Sequence, residues 1–168
     1  MLILSADPGV TGAIASYDTI TGRLTTHDMP ILKKGNSAGI KAVLDEVEVL
    51  SLFSLYRDLG AQHFFLEQVN GFPGQSAPRA FNFGVGYGVL RLASLACGYQ
   101  LNPVPAVVWK NAMRAPKDKL ASIQRATELV PSHSHLWKNG TGSQAQRSGR
   151  AEAAMLVLYG ERVLGNRQ

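Results

Sequence analysis

The sequence predicts an α/β domain built on a mixed β-sheet with helices on both faces. Residues 2–29 alternate short apolar runs with turn residues, as three consecutive strands do. Segments with apolar residues at helical spacing follow over 40–59, 77–98, 117–129 and 151–164. Short apolar strands at 63–66 and 99–103 stand between the earlier helices. The resulting order, β-β-β-α-β-α-β-α-α, joins an antiparallel start to a β-α-β crossover and so gives a mixed sheet.

The chain opens with LILSADPGVTG. Leu2, Ile3 and Leu4 lead into Asp7, and Pro8, Gly9 and Gly12 turn the chain into Ala13-Ile14-Ala15. This is a buried strand carrying one carboxylate at its end, then a tight turn and an antiparallel return. Asp-Pro-Gly is also ordinary turn chemistry, so on this stretch alone Asp7 reads first as a turn former. The return strand covers 12–17 and 19–23 is a turn; the third strand, 24–29, has the Thr-rich alternation of a sheet edge. Residues 33–39 form a polar loop containing Lys33, Lys34, Gly35 and Asn36. The helix over 40–59 has Ile40, Val43, Leu44, Val47, Leu50, Phe53, Leu55 and Leu59 on its apolar face and ends at Gly60.

His63 begins the next strand and Glu67 stands at its end, followed by the loop NGFPGQS over 70–76. The helix over 77–98 carries Gly84, Gly86 and Gly88, which allow close approach to the sheet. Their spacing is not that of a nucleotide-binding loop, so no nucleotide cofactor is expected. Residues 105–113 make a short helical turn with Trp109 and Lys110, and the basic helix over 117–129 is closed by Pro131. The polar, Gly/Ser/Asn-rich stretch 132–147 reads as a mobile loop before the apolar closing helix. Neither an internal repeat nor a linker interrupts the 168 residues, so one domain is expected.

Hydrophobic residues make up 45% and charged residues 17%, a globular composition. The net charge of +5 favours an anionic partner, nucleic acid being the usual one. Cys97 is the only cysteine, which excludes an internal disulfide. No apolar run is long enough for a membrane span, and the N-terminal run is too short for a signal peptide. A cytoplasmic location is expected.

If the strand ending in Glu67 lies parallel beside the first, Asp7 and Glu67 share one sheet edge, where ligand sites form. Adjacent carboxylates repel, and a divalent cation, Mg²⁺ or Mn²⁺, offsets that cost. Glu152 is a third acid set among apolar neighbours in RAEAAML, which fits a polar site as well as a solvated helix face. Three acids beside a basic surface fit metal-assisted phosphodiester hydrolysis, with two ions about 3.5–4 Å apart. No Ser/His or Cys/His pair accompanies these acids, so no covalent intermediate is expected. His133 and His135 have no further ligand nearby to complete a zinc site.

Five blocks in series, ADPGVTGAIA, FFLEQVNGFPGQ, FNFGVGYGVL, PAVVWKNAM and GRAEAAMLVLYG, resemble the RuvC-type Holliday junction resolvases, in particular their phage-associated and RuvC-like members. The resemblance covers nearly the whole chain. It implies a ribonuclease H-like fold with a five-stranded mixed sheet and Mg²⁺-dependent cleavage of branched DNA by a homodimer. By that resemblance Asp7 is the first-strand acid, Glu67 the acid ending the fourth strand and Glu152 the acid of the last helix. The family carries a further acid or a His about one turn before the last acid; here Ser148 stands at i−4 from Glu152. Lys110, Lys117 and Lys119 fall where the family places phosphate-binding residues, with Lys33 and Lys34 as further contacts. Phe72 resembles an aromatic that stacks on junction bases, and Gln68 a position beside the active site. The apolar face from Phe81 to Leu92 is the expected self-association surface. A ribonuclease H-fold nuclease for hybrids or flaps, and a junction-binding protein with little catalysis, remain alternatives.

Overall fold

The computed structural model describes residues 1–36, 39–68, 74, 76–139 and 141–166, apart from the side chains of 34, 36 and 39–41. The expected loop aromatic, Phe72, and the side chain of Lys34 lie outside the described residues.

Strand β1 (Leu2–Asp7) is followed by β2 (Ala13–Asp18) and β3 (Leu24–Asp28). A separate hairpin, β4 (Ile31–Asn36) and β5 (Gly39–Leu44), precedes α1 (Glu46–Asp58). Then come β6 (His63–Gln68), α2 (Ala77–Ala96), β7 (Gln100–Pro105), α3 (Ala106–Met113), α4 (Lys119–Leu129), α5 (His135–Lys138) and α6 (Gln144–Gly165).

The main sheet has five strands in the order β3-β2-β1-β6-β7. β1 pairs antiparallel with β2 and parallel with β6, and β6 pairs parallel with β7. This is the expected mixed sheet, and β3 is its edge. Strand alternation divides the core in two. Ile3 and Phe65 face one way with Trp109, Trp137 and the α6 residues Ala154, Met155 and Leu158. Leu4, Ala6, Phe64 and Leu66 face the other way with Phe53, Leu90 and Tyr99.

Two expectations are corrected. The helix over 40–59 starts only at Glu46, and the residues before it form the β4–β5 hairpin rather than a polar loop running into a helix. Asp45 explains the boundary. Its backbone is extended, and its carboxylate accepts the Glu48 N–H at 3.1 Å, which caps the helix there. The Asp45 N–H also donates to the Pro30 carbonyl at 3.0 Å, closing the base of the hairpin. Leu44 then lies against Gly86, where an added Cβ would meet its Cδ1 at 3.1 Å. Of the three clustered glycines, only Gly86 serves a close approach; Gly84 and Gly88 face open space.

The second correction concerns 132–147. This stretch contains a 3-10 turn at Pro131–His133, then α5, and α6 begins within it at Gln144. Trp137 is fully buried and its indole N–H donates to Thr127 Oγ1 at 3.0 Å, which anchors the segment. Ser143 and Gln146 form a capping box that starts α6 two turns earlier than apolar periodicity alone would place it.

Candidate metal centre

Asp7 ends β1 and Glu67 lies near the end of β6. With Ile3 and Ser5 on β1, and Phe65 on β6, both carboxylates fall on the sheet face covered by α6. The turn after Asp7 is built for close packing. Gly9 has φ of +120°, and the Gly12 N–H donates to the Gly9 carbonyl at 3.0 Å. A Cβ on Gly12 would sit 2.0 Å from the Asp7 carbonyl oxygen.

α6 docks onto this turn through another glycine. A Cβ on Gly149 would meet the Thr11 carbonyl oxygen at 2.4 Å and Gly12 Cα at 2.9 Å. One turn on, the buried Ser5 hydroxyl donates to the Ala153 carbonyl at 2.7 Å. Arg150 fixes the helix from the side. Its Nε and Nη2 each donate to Asp28 at 2.6 Å, and Nη2 also donates to the Thr141 carbonyl at 2.9 Å. These contacts bring Glu152 to the two strand-end acids.

Asp7, Glu67 and Glu152 each offer one carboxylate oxygen within 4.8 Å of the others. All three lie partly within the protein. Burial pushes Asp7 well above the usual carboxylate range, and the charges of Glu152 and Glu67 add to it. Lys110 and Lys119 pull it the other way without overcoming the rise. Burial likewise raises Glu67, against the opposing effects of Lys110 and the Trp109 hydrogen bond. The cluster thus concentrates more negative charge than its surroundings favour. Hard oxygen donors in that condition fit a divalent cation such as Mg²⁺ or Mn²⁺.

Ser148 is buried one turn before Glu152 and donates to Glu152 Oε1 at 3.4 Å. Its hydroxyl therefore faces the cluster but brings no charge. Lys110 is part of the cluster itself: its ammonium donates to Glu152 Oε2 at 2.7 Å. Burial lowers its proton affinity, yet Glu152, Glu67 and Asp7 together hold it above the ordinary lysine value.

Other expected residues stand apart. Lys117 and Lys119 are exposed around the start of α4, with Lys119 near enough to influence Asp7. Gln68 is exposed, and strand alternation turns it away from Glu67. Lys33 is exposed on β4. His133 Nε2 accepts the Leu24 N–H at 3.3 Å and its ring stacks on His135, which gives this pair a structural use.

Two partners of the acids are shown by the structure and not by the sequence. The fully buried Trp109 donates its indole N–H to Glu67 Oε2 at 2.8 Å. Ser122, buried on α4, donates to Glu152 Oε1 at 3.4 Å. The Trp-Lys pair in PAVVWKNAM was the available signal for the first. A buried indole requires a hydrogen-bond acceptor, and a strand-end carboxylate is one. No local pattern marks Ser122.

No family model matches the sequence, and no curated protein matches it. Solved structures do. A Thermus thermophilus RuvC structure superposes with a TM-score of 0.55 at 14% identity, covering 97% of this chain and 96% of that one. T. thermophilus RuvC in complex with a Holliday junction substrate gives 0.61 at 10% identity, with the same coverage. The likeness covers nearly the whole chain. The chain has a RuvC-like, ribonuclease H-like fold.

Proposed function

We propose that this chain is a divalent-metal-dependent endonuclease that cleaves branched DNA, with four-way junctions as its substrate. The observation that carries this reading is the convergence of Asp7, Glu67 and Glu152 from two strand ends and the last helix onto one point of a RuvC-like fold. A bound divalent cation would supply the positive charge that activates a water for attack on the phosphodiester and steadies the departing 3′ oxygen. Asp7, Glu67 and Glu152 would hold that cation. Trp109 fixes the Glu67 carboxylate in one orientation, and Gly149 and Ser5 set the depth of Glu152. Lys117 and Lys119, exposed around the start of α4, are assigned to substrate phosphates. Gln68 and Phe72 are assigned to the DNA around the cleavage point, Phe72 by stacking on an unpaired base.

Symmetric cleavage of a junction requires two active sites, and a homodimer supplies them. The α2 face supports this assignment. Phe81 is 72% exposed and Leu92 69%, with Val85 between them at 47%. Apolar side chains this open along one helix are suited to burial against a second copy.

A second reading, junction binding with little catalysis, is favoured by one observation: Ser148 occupies the position one turn before Glu152 and supplies no charge. A nicking assay on a synthetic four-way junction, with and without Mg²⁺ or Mn²⁺, separates the two. Linear duplex, flap and RNA–DNA hybrid substrates serve as controls, and Glu67→Gln as the negative control. Metal-dependent paired nicks, abolished by Glu67→Gln, are expected. Tight junction binding without nicking would establish the second reading. Preferential cleavage of hybrids or flaps would remove the junction assignment.

A further inference from the structure

We propose that Lys110 is a built-in cation standing in for a second metal ion, so that the acidic centre binds one divalent ion per chain. This rests on the metal-centre reading above and departs from the two-ion arrangement that three clustered acids first bring to mind.

The geometry is specific. Lys110 Nζ lies 2.7 Å from Glu152 Oε2, with its side chain 24% exposed and that of Glu152 13%. The ammonium is therefore held inside the cluster and does not reach out from it. Its stem is restrained as well, since Nζ stands 5.2 Å from the centre of the adjacent Trp109 ring. Trp109 in turn donates to Glu67. The short helix α3 thus holds two of the three acids through consecutive residues. The other Glu152 oxygen faces two hydroxyls, those of Ser122 and Ser148, both at 3.4 Å. Each Glu152 oxygen already has a protein partner, which leaves this carboxylate little freedom to bridge two ions.

Charge counting agrees. Three ionised carboxylates and one ammonium leave a formal charge of −2, which one divalent ion neutralises. A second ion would leave +2 in a partly buried site and lie against the ammonium. The position that could have changed this balance, 148, holds a neutral hydroxyl. The missing fourth carboxylate and the inserted ammonium act in the same direction, both lowering the demand for metal charge.

Mn²⁺ titration followed by electron paramagnetic resonance tests this without any cleavage readout. Wild type is expected to bind one Mn²⁺ per chain with the resolved six-line spectrum of an isolated ion. Lys110→Met is expected to bind its first Mn²⁺ on the order of tenfold more tightly, because a neighbouring positive charge is gone. Lys110→Met combined with Ser148→Asp is expected to bind two ions with a spin-coupled spectrum. Lys110→Arg, which keeps the charge, is expected to stay at one. Two coupled ions in wild type would overturn the proposal and leave the metal centre standing. An unchanged affinity in a folded Lys110→Met protein would also overturn it. No Mn²⁺ binding to wild type would overturn both readings, and the wild-type measurement decides even if a variant fails to fold.

Discussion

Gly149→Ala sets two effects of opposite sign against each other. Within a helix the change from Gly to Ala ordinarily gains about 1 kcal/mol from propensity. Here the new methyl would lie 2.4 Å from the Thr11 carbonyl oxygen and 2.9 Å from Gly12 Cα. Both are backbone atoms of the turn that carries Asp7, so neither can rotate away. Restoring ordinary contact, about 3.4 Å between such atoms, requires α6 and the turn to separate by roughly 1 Å. Overpacking of that kind costs about 1–3 kcal/mol, which exceeds the propensity gain at most of its range. The expected net loss is about 1 kcal/mol in chemical denaturation. The larger consequence falls on the site. Glu152 lies on the same helix face one turn on, and a misplacement of about 1 Å is enough to cost on the order of a hundredfold in a positioned reaction. Mn²⁺ affinity and junction nicking should therefore fall much further than stability does. Gly165→Ala, on the last turn of the same helix with open space around it, should change neither by much. A Gly149→Ala protein that is more stable than wild type and binds Mn²⁺ equally well would refute the docking argument.

Three further outcomes are expected. Asp7 and Glu67 are held above their ordinary values by burial and by neighbouring carboxylates. The folded, metal-free chain therefore keeps protons that the unfolded chain releases above about pH 4, so this contribution is complete below that pH and is lost as pH rises through the raised folded values. Thermal melts in chelator should show that decline, Asp7→Asn should flatten it, and Mn²⁺ should reverse it most strongly at the higher pH. A decline of the same size in Asp7→Asn would count against the assignment. Trp109→Phe keeps an aromatic side chain, though a smaller one, and removes the indole donor to Glu67 Oε2. It should cost about 1–2 kcal/mol in denaturant unfolding and weaken metal binding at low pH, where Glu67 then holds its proton more firmly; unchanged metal affinity across pH would show that the indole N–H has no part in the site. Lys117→Ala and Lys119→Ala should each lower the slope of log affinity against log salt by about one, equally for all junction sequences; slopes equal to that of wild type would remove them from the phosphate contacts.

The sequence by itself determined the strands of the main sheet and put Asp7 and Glu67 at the ends of two of them. Short apolar runs and their turns placed β1, β2, β3 and β6, and the tertiary structure then set β1 and β6 side by side as parallel neighbours. Given that pairing, Asp7 and Glu67 meet at one edge, because both lie at the ends of strands that run the same way side by side. The start of α1 is not legible in the sequence because Ile40, Val43 and Leu44 fit a helical spacing as well as a strand, and only the cap at Asp45 separates them. The start of α6 is not legible in composition because its first turns are polar, and a capping box with a buried Trp137 outweighs composition there.

The third side of the site was decided by tertiary structure. Glu152 bonds to Lys110, 42 residues away in sequence, and Trp109 bonds to Glu67, also 42 residues away. No local period encodes such pairings. They follow from how deeply α6 seats on the Asp7 turn, which is set by the missing side chain of Gly149 against the backbone of Thr11 and Gly12. Local patterns in a sequence act over a few residues, whereas the charge balance of a buried cluster is fixed only when separate elements pack and exclude water from it.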